Sequence, residues 1–174
     1  MGILRRLFGR KYIPLSERLD APDELVTGGD CAFTSVHTDT AAIVIYDLGA
    51  LKHRLDDDVD WWADPLEEIV EINNRNLLII GLGSDGFYDL DVSDAGGFDR
   101  SYSLFFPSGR VFIGAGEMVT GGGDEPDERC GGLFLDFAPG DYTVGIEWCD
   151  ARLRIGIIRS ASFENKITEP IRIF

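Results

Sequence analysis

The chain is poor in the side chains that most often bind metals or form structural bridges. Its 174 residues include two histidines and three cysteines. His37 and His53 have no second His or Cys at ligand spacing, which argues against a zinc site. Cys31, Cys130 and Cys149 are odd in number and widely spaced, a pattern typical of free thiols in a reducing cytosol. We therefore predict a cytoplasmic protein without a metal or a cofactor.

Basic residues are also scarce, with 16 Lys and Arg against 31 Asp and Glu and a net charge of −15. Such a charge repels nucleic acid phosphates and anionic membranes, and it attracts basic partners. Solubility alone is the simpler explanation of the excess. Residues 1–18 are the exception, because they hold five basic residues and one acidic residue. The length suits one domain, so we predict a basic N-terminal tail at 1–18 and a single globular domain at 19–174.

Long apolar runs are missing as well. No run is long enough to span a bilayer, and the first residues lack the apolar core and cleavage site of a signal peptide. Apolar residues instead form eight or nine short runs, separated by turns rich in the 21 glycines and seven prolines. This spacing predicts a mainly β (α+β) fold, an antiparallel β-sandwich or open barrel. A short two-helix insertion is expected at about residues 49–75.

Residues 76–92 (NLLIIGLGSDGFYDLDV) stand at the centre of the predicted fold. The four apolar residues at 77–80 suit a strand buried on both faces, and residues 87–92 alternate apolar with acidic ones. Between them lies a glycine-rich turn, so we predict a hairpin. The turn matches GxGxxG, but dinucleotide binding requires a helix to begin at the third glycine, and the alternation excludes one. The same reasoning predicts a hairpin of residues 101–106 and 110–113, and pairing of 33–37 with 41–46.

The helical insertion has a regular apolar spacing of three and four residues over 48–62. Asp64 and Pro65 are a typical helix start, with Asp at the N-cap and Pro in the first turn. We therefore predict two short helices, broken at 60–64. Four residues share one face of the second helix: Leu66, Ile69, Val70 and Asn73.

Four aspartates and two adjacent tryptophans form the most unusual cluster in the chain: Asp56, Asp57, Asp58, Asp60, Trp61 and Trp62. Two neighbouring tryptophans cannot both point into the same core, so we expect one to be buried and the other at least partly exposed. Aromatic side chains flanked by acids favour contact with a basic protein partner. The simpler interpretation is a solvated helix end with one Trp in the core. The acids here and at 124–128 lack the spacing of a calcium-binding EF-hand.

The run LLIIGLGSDGFYDLDV resembles the core of the SUKH-type immunity proteins, in which a strand leads through a Gly/Asp-rich turn into a strand of alternating acids and apolar residues. The acidic segment with its tryptophans is similar to bacterial immunity proteins in general, and the resemblance covers residues 60–92. It implies a small cytosolic protein that neutralises a basic toxin domain by covering it with an acidic face.

Two functions follow from these observations. The first is an acidic, non-enzymatic protein-binding domain that uses the 56–62 cluster and the loop at 120–132 to bind a basic protein, with a toxin domain as the partner that the resemblance implies. The alternative is a small-ligand or carbohydrate-binding β module, or an enzyme that uses carboxylates. Its candidate residues are Asp85, Tyr88, Asp89 and Trp148.

Overall fold

The computed structural model describes residues 31–98, 100–150 and 152–173, so the predicted basic tail at 1–18 lies outside the described residues. The described residues contain nine strands and one α-helix, α1 (Pro65–Asn73). The strands are β1 (Ala32–Thr38), β2 (Ala42–Asp47), β3 (Leu77–Gly81), β4 (Gly86–Ser93), β5 (Arg100–Phe106), β6 (Arg110–Ala115), β7 (Leu133–Asp136), β8 (Gly140–Cys149) and β9 (Arg152–Arg159).

The strands form two separate sheets that pack face to face. One sheet has five strands in the order β1-β4-β9-β8-β5, and the other has four in the order β3-β2-β6-β7. All strand pairs are antiparallel except β4 with β9. The predicted mainly β sandwich is confirmed.

Two apolar clusters stabilise this arrangement, one on each side of the four-stranded sheet. The main core lies between the sheets, where Ile43 and Ile80 belong to the same cluster as Leu90 and Ile155. The second cluster includes the opposite sides of β2 and β3 together with Trp61. Every residue of β2 and β3 is therefore buried, which confirms the strand predicted at 77–80 and explains its unbroken apolar run.

All three predicted hairpin pairings are wrong. β3 and β4 lie in different sheets, because β3 pairs with β2 and β4 pairs with β1 and β9. β5 and β6 are likewise separated, so both tight turns carry the chain from one sheet to the other. β1, predicted to pair with β2, pairs with β4. The alternation predicted within β4 is correct, since Leu90 and Val92 are buried while Phe87 is 73% exposed.

Of the two predicted helices only the second is an α-helix. Its predicted start is confirmed, because the Leu66 N–H donates to the Asp64 side chain at 2.9 Å. The first is replaced by 3₁₀ turns at Lys52–Arg54 and Trp61–Ala63. A continuous helix is excluded here because the Leu55 and Asp57 carbonyls accept hydrogen bonds from Gly123 and Gly122, both at 2.7 Å, instead of from the next helical turn.

Residues 160–173, the C-terminal strap, run in extended form past the edge of each sheet. Asn165 is buried and pairs with both the N–H and the carbonyl of Ser103 on β5, and it also donates to the Ile72 carbonyl of α1. Further on, Gly81 of β3 forms an isolated parallel bridge with Arg172. The strap thus links one edge strand of each sheet to α1.

Candidate functional site

The aspartates predicted as a site lie on a surface built from two loops. The loop at 120–125 packs on the loop at 52–60 through the two glycine hydrogen bonds to Leu55 and Asp57 and through an ion pair between Lys52 and Glu125 at 2.5 Å. Gly121 permits this approach, because an added Cβ would lie 3.1 Å from both the Asp58 carbonyl and the Trp61 ring. A side chain at this position would therefore require one of the two loops to shift.

Trp61 fixes these loops to the four-stranded sheet. Its side chain is buried, and its indole N–H donates to the Thr120 carbonyl at 2.9 Å. The Tyr46 hydroxyl accepts from the Thr120 N–H at 3.1 Å and donates to the Met118 carbonyl. Trp62 is only partly buried, so the expectation of one buried and one partly exposed tryptophan is confirmed. The indole nitrogen of Trp62 is shielded from solvent and has no hydrogen-bond partner among the described residues.

Arg54 is the centre of an ion-pair network beneath this surface. Its guanidinium contacts Glu71 and Glu67 at 2.7 Å and Asp57 at 2.9 Å, and it lies 4.4 Å from the centroid of the Trp61 ring. Burial lowers the pKa of Arg54, but the three carboxylates outweigh that effect and the net shift is upward. Arg54 therefore stays charged and joins α1 to the loop at 52–60.

Glu71 is the buried partner of that network, with a side chain only 2% exposed. It accepts hydrogen bonds from Asn76 at 2.6 Å and from Arg54, and it contacts a His53 ring nitrogen at 2.9 Å. Burial raises the pKa of Glu71, but these hydrogen bonds and the nearby positive charge outweigh it, and the net shift is downward. Glu71 is thus an ionised carboxylate inside the protein.

The structure separates the predicted aspartates into two groups. Asp57 is half-buried and pairs with Arg54, so part of its role is structural. Four other carboxylates are exposed and form no ion pair or side-chain hydrogen bond within the described part of the chain: Asp56, Asp58, Asp60 and Asp124. We call these four residues the acidic loop face. Their side chains face solvent, and no cationic side chain of the described residues pairs with them.

The residues of the alternative site do not form one group. Tyr88 and Trp148 meet edge to face, with ring centroids 5.9 Å apart, and the Trp148 side chain is partly exposed. Asp89 lies on the opposite face of β4 from Tyr88, because neighbouring residues of a strand point to opposite sides. Asp85 is exposed in the turn before β4. The two rings are therefore together, while Asp89 points away from them.

The family model described as "Family of unknown function (DUF6386)" matches residues 30–173. The chain belongs to the DUF6386 family. No curated protein matches the sequence. Among solved structures the chain is similar to "Crocagin biosynthetic gene J", with a TM-score of 0.49 and 14% identity over 76% of this chain and 98% of that chain. The resemblance to SUKH-type immunity proteins stays a prediction.

Two further structural findings bear on this DUF6386 member. In the described residues, no group of three or more His, Cys, Asp or Glu side chains is placed to hold a metal ion. No helix within 31–98, 100–150 and 152–173 is long and apolar enough to cross a membrane.

Sequence reasoning missed Arg54, Glu68 and Glu71 in this DUF6386 domain. The signal available was the helical spacing, since Glu68, Glu71 and Ile72 share the side of α1 opposite Leu66 and Val70. The sequence alone does not show that this acidic side is the buried one, because that depends on the positions of Arg54 and Arg172. The Nη1 atom of Arg172 lies 3.7 Å from a Glu68 oxygen. The pKa of Glu68 is raised, because burial disfavours its charged form more strongly than Arg172 favours it.

Glu68→Gln is expected to raise the melting temperature at neutral pH, because the uncharged amide avoids the burial cost that raises the pKa of Glu68. A folded-state pKa above the unfolded one means that proton binding stabilises the fold. That stability is fully present below the unfolded pKa of about 4.3 and is lost as the pH rises through the folded pKa. The advantage of the variant should therefore be largest near neutral pH and disappear in acid.

Thermal unfolding, followed by circular dichroism from acid to neutral pH, measures the difference in melting temperature between the variant and the parent. Glu169→Gln changes an exposed residue of the C-terminal strap, near Arg172 in the sequence, and as the matched control it should leave the melting temperature unchanged. A Glu68→Gln variant that is less stable than the parent at neutral pH would show that the ionised carboxylate is the favoured form.

Proposed function

We propose that this protein is a non-enzymatic binding domain that holds a basic protein partner against the acidic loop face. The observation that carries the proposal is the set of four exposed carboxylates without a cationic partner in the described residues, on loops held by Trp61 and Arg54. Fixed uncompensated charge of one sign attracts an oppositely charged partner and speeds its association. The overall charge of −15 acts in the same direction.

The resemblance of the central segment to immunity proteins supports a toxin domain as the partner. An immunity protein acts by covering its target and needs no chemistry of its own. The acidic loop face would then occupy the basic surface by which the toxin domain binds its substrate. The identity of the protein that binds decides whether the partner is a toxin domain.

The experiment is a pull-down from the source lysate with the purified full-length chain at low and high salt, with mass spectrometry of the eluted proteins. We expect one stoichiometric basic protein, which is lost at high salt. The triple variant Asp56→Asn, Asp58→Asn, Asp60→Asn should then slow association with that protein about tenfold or more at low salt, since steering contributes this much to association rates.

The matched control removes three exposed aspartates from other turns: Asp85→Asn, Asp94→Asn and Asp150→Asn. It removes the same amount of negative charge, so it separates a local effect of the acidic loop face from a general effect of charge. Equal association rates for the two triple variants would contradict the proposed site.

A small-ligand or carbohydrate-binding module is the second candidate function. Trp148 favours it, because its ring is 43% exposed and packs against Tyr88 at one end of the sandwich. A partly exposed aromatic ring offers a large apolar face to a ligand. If no protein elutes in repeated pull-downs, a thermal-shift screen with carbohydrates tests this function directly.

A further inference from the structure

Helix α1 presents its aliphatic side chains to solvent. Leu66 is 71% exposed and Val70 is 48% exposed. They are four residues apart, so they lie one above the other on the same side of the helix. The opposite side buries Glu68, Glu71 and Ile72. A helix on a protein surface ordinarily has the reverse arrangement, with the apolar stripe inside and the charges outside.

Specific contacts hold this orientation. Glu71 is tied to Arg54 and Asn76, while Asn73 exchanges two hydrogen bonds of 3.0 Å with the backbone of Ile167 in the C-terminal strap. The helix cannot rotate to bury Leu66 without breaking all of these contacts and exposing Ile72. These contacts therefore hold the aliphatic stripe at the surface. Grouped apolar residues of this kind indicate a contact surface.

The surroundings of the stripe restrict what can cover it. Residues 52–74 contain eight acidic and two basic residues, and six of the acids remain at or near the surface because Glu68 and Glu71 are buried on the other side of α1. Val59 adds a third aliphatic side chain, which is 60% exposed. In the sequence it stands between Asp58 and Asp60 of the acidic loop face. A second copy of the chain in a twofold dimer would bring the same acidic surface against itself, which like-charge repulsion opposes. The occupant must therefore combine apolar side chains with positive charge.

We propose that the exposed side of α1 is the docking site for a basic amphipathic helix of the partner. The apolar side of that helix contacts Leu66 and Val70, because a ridge of residues at i and i+4 fits the groove of another helix. Its Lys or Arg side chains reach the acidic loop face. The inference rests on the proposed function and specifies the structure that the partner presents.

The test uses three synthetic peptides of about 14 residues, long enough for a helix of three to four turns. The first contains Leu and Lys with all leucines on one helical side, the second is a scrambled version of the same composition, and the third contains only Lys. Binding of the full-length chain is measured by fluorescence anisotropy at about 0.15 M salt, where exposed charges are screened beyond about 8 Å. We expect the amphipathic peptide to bind at least tenfold more tightly than the scrambled one.

Two variants locate the binding surface. Leu66→Ser with Val70→Ser should remove the tenfold difference while leaving the affinity for the Lys peptide unchanged. Phe87→Ser changes a 73% exposed apolar residue on β4, away from α1, and should leave the difference intact. All three positions are exposed, and circular dichroism confirms that each variant is folded.

The outcomes separate the two proposals. Equal binding of the amphipathic and scrambled peptides, or an equal effect of Phe87→Ser, would overturn docking on α1. If the Lys peptide still binds and loses affinity in the Asp56→Asn, Asp58→Asn, Asp60→Asn variant, the acidic loop face is retained as a binding surface. If no peptide binds, docking on α1 is overturned, and the pull-down alone decides the proposed function.

Discussion

Arg54→Met is expected to lower the free energy of unfolding by about 3–5 kcal/mol, the usual cost of removing one member of a buried ion pair. The substitution keeps much of the aliphatic stem but removes the guanidinium from Glu71, whose side chain is 2% exposed. It also removes the contacts to Asp57 and Glu67 and the stacking on Trp61. Urea denaturation at neutral pH measures the change.

Two further variants test this explanation. Lys52→Ala breaks a surface ion pair with Glu125, in which the lysine is 58% exposed, and should cost about 1 kcal/mol or less. Adding Glu71→Gln to Arg54→Met should restore part of the loss, because a neutral amide needs no buried counter-charge. If Arg54→Met costs no more than Lys52→Ala, the buried pair is not a major source of stability.

Asp47→Ala is expected to cost about 3–5 kcal/mol, since each buried donor left without a partner costs about 1–3 kcal/mol. Asp47 is fully buried at the end of β2, where its carboxylate accepts from the N–H groups of Gly49 at 2.7 Å, Gly109 at 2.6 Å and Ser108 at 3.1 Å. The Ser108 hydroxyl donates to it at 2.6 Å. The side chain thus holds the turn between β5 and β6 against the end of β2.

Asp47→Asn should lose less, about 2 kcal/mol, because it retains one acceptor oxygen but places an amide NH₂ against the remaining donors. Ser108→Ala removes one hydroxyl donor and leaves all three N–H groups paired, so its expected cost is about 1 kcal/mol. Chemical denaturation of the three variants gives the order of their free energies of unfolding. An Asp47→Ala variant no less stable than Ser108→Ala would contradict the role assigned to the carboxylate.

Strand positions could be predicted from the sequence because alternation and apolar runs are local properties. Strand partners could not, because they depend on which surface each side of a strand must cover. The apolar run of β3 is buried on both sides and the alternating run of β4 on one, so the two belong to different sheets despite the short turn between them. A turn rich in glycine permits a hairpin and a crossing between sheets equally well.

The candidate site was predictable to a similar degree. That one of two adjacent tryptophans is buried follows from chain geometry. That it is Trp61 depends on the Thr120 carbonyl, 59 positions away. The acids were visible as a cluster, and Arg54 stands only three residues before its partner Asp57, but the burial of Glu71 depends on the same arginine 17 positions earlier. Long-range ion pairs leave no local pattern in a sequence.

The position of β4 between β1 and β9 affects how the chain folds during synthesis. β1 can pair with β4 early, but the other edge of β4 has no partner until β9, near the end of the chain, has been made. β5 likewise waits for β8. Such non-local pairing slows folding and leaves apolar strand edges open to other nascent chains in the meantime. The five-stranded sheet is therefore completed only after all nine described strands have left the ribosome.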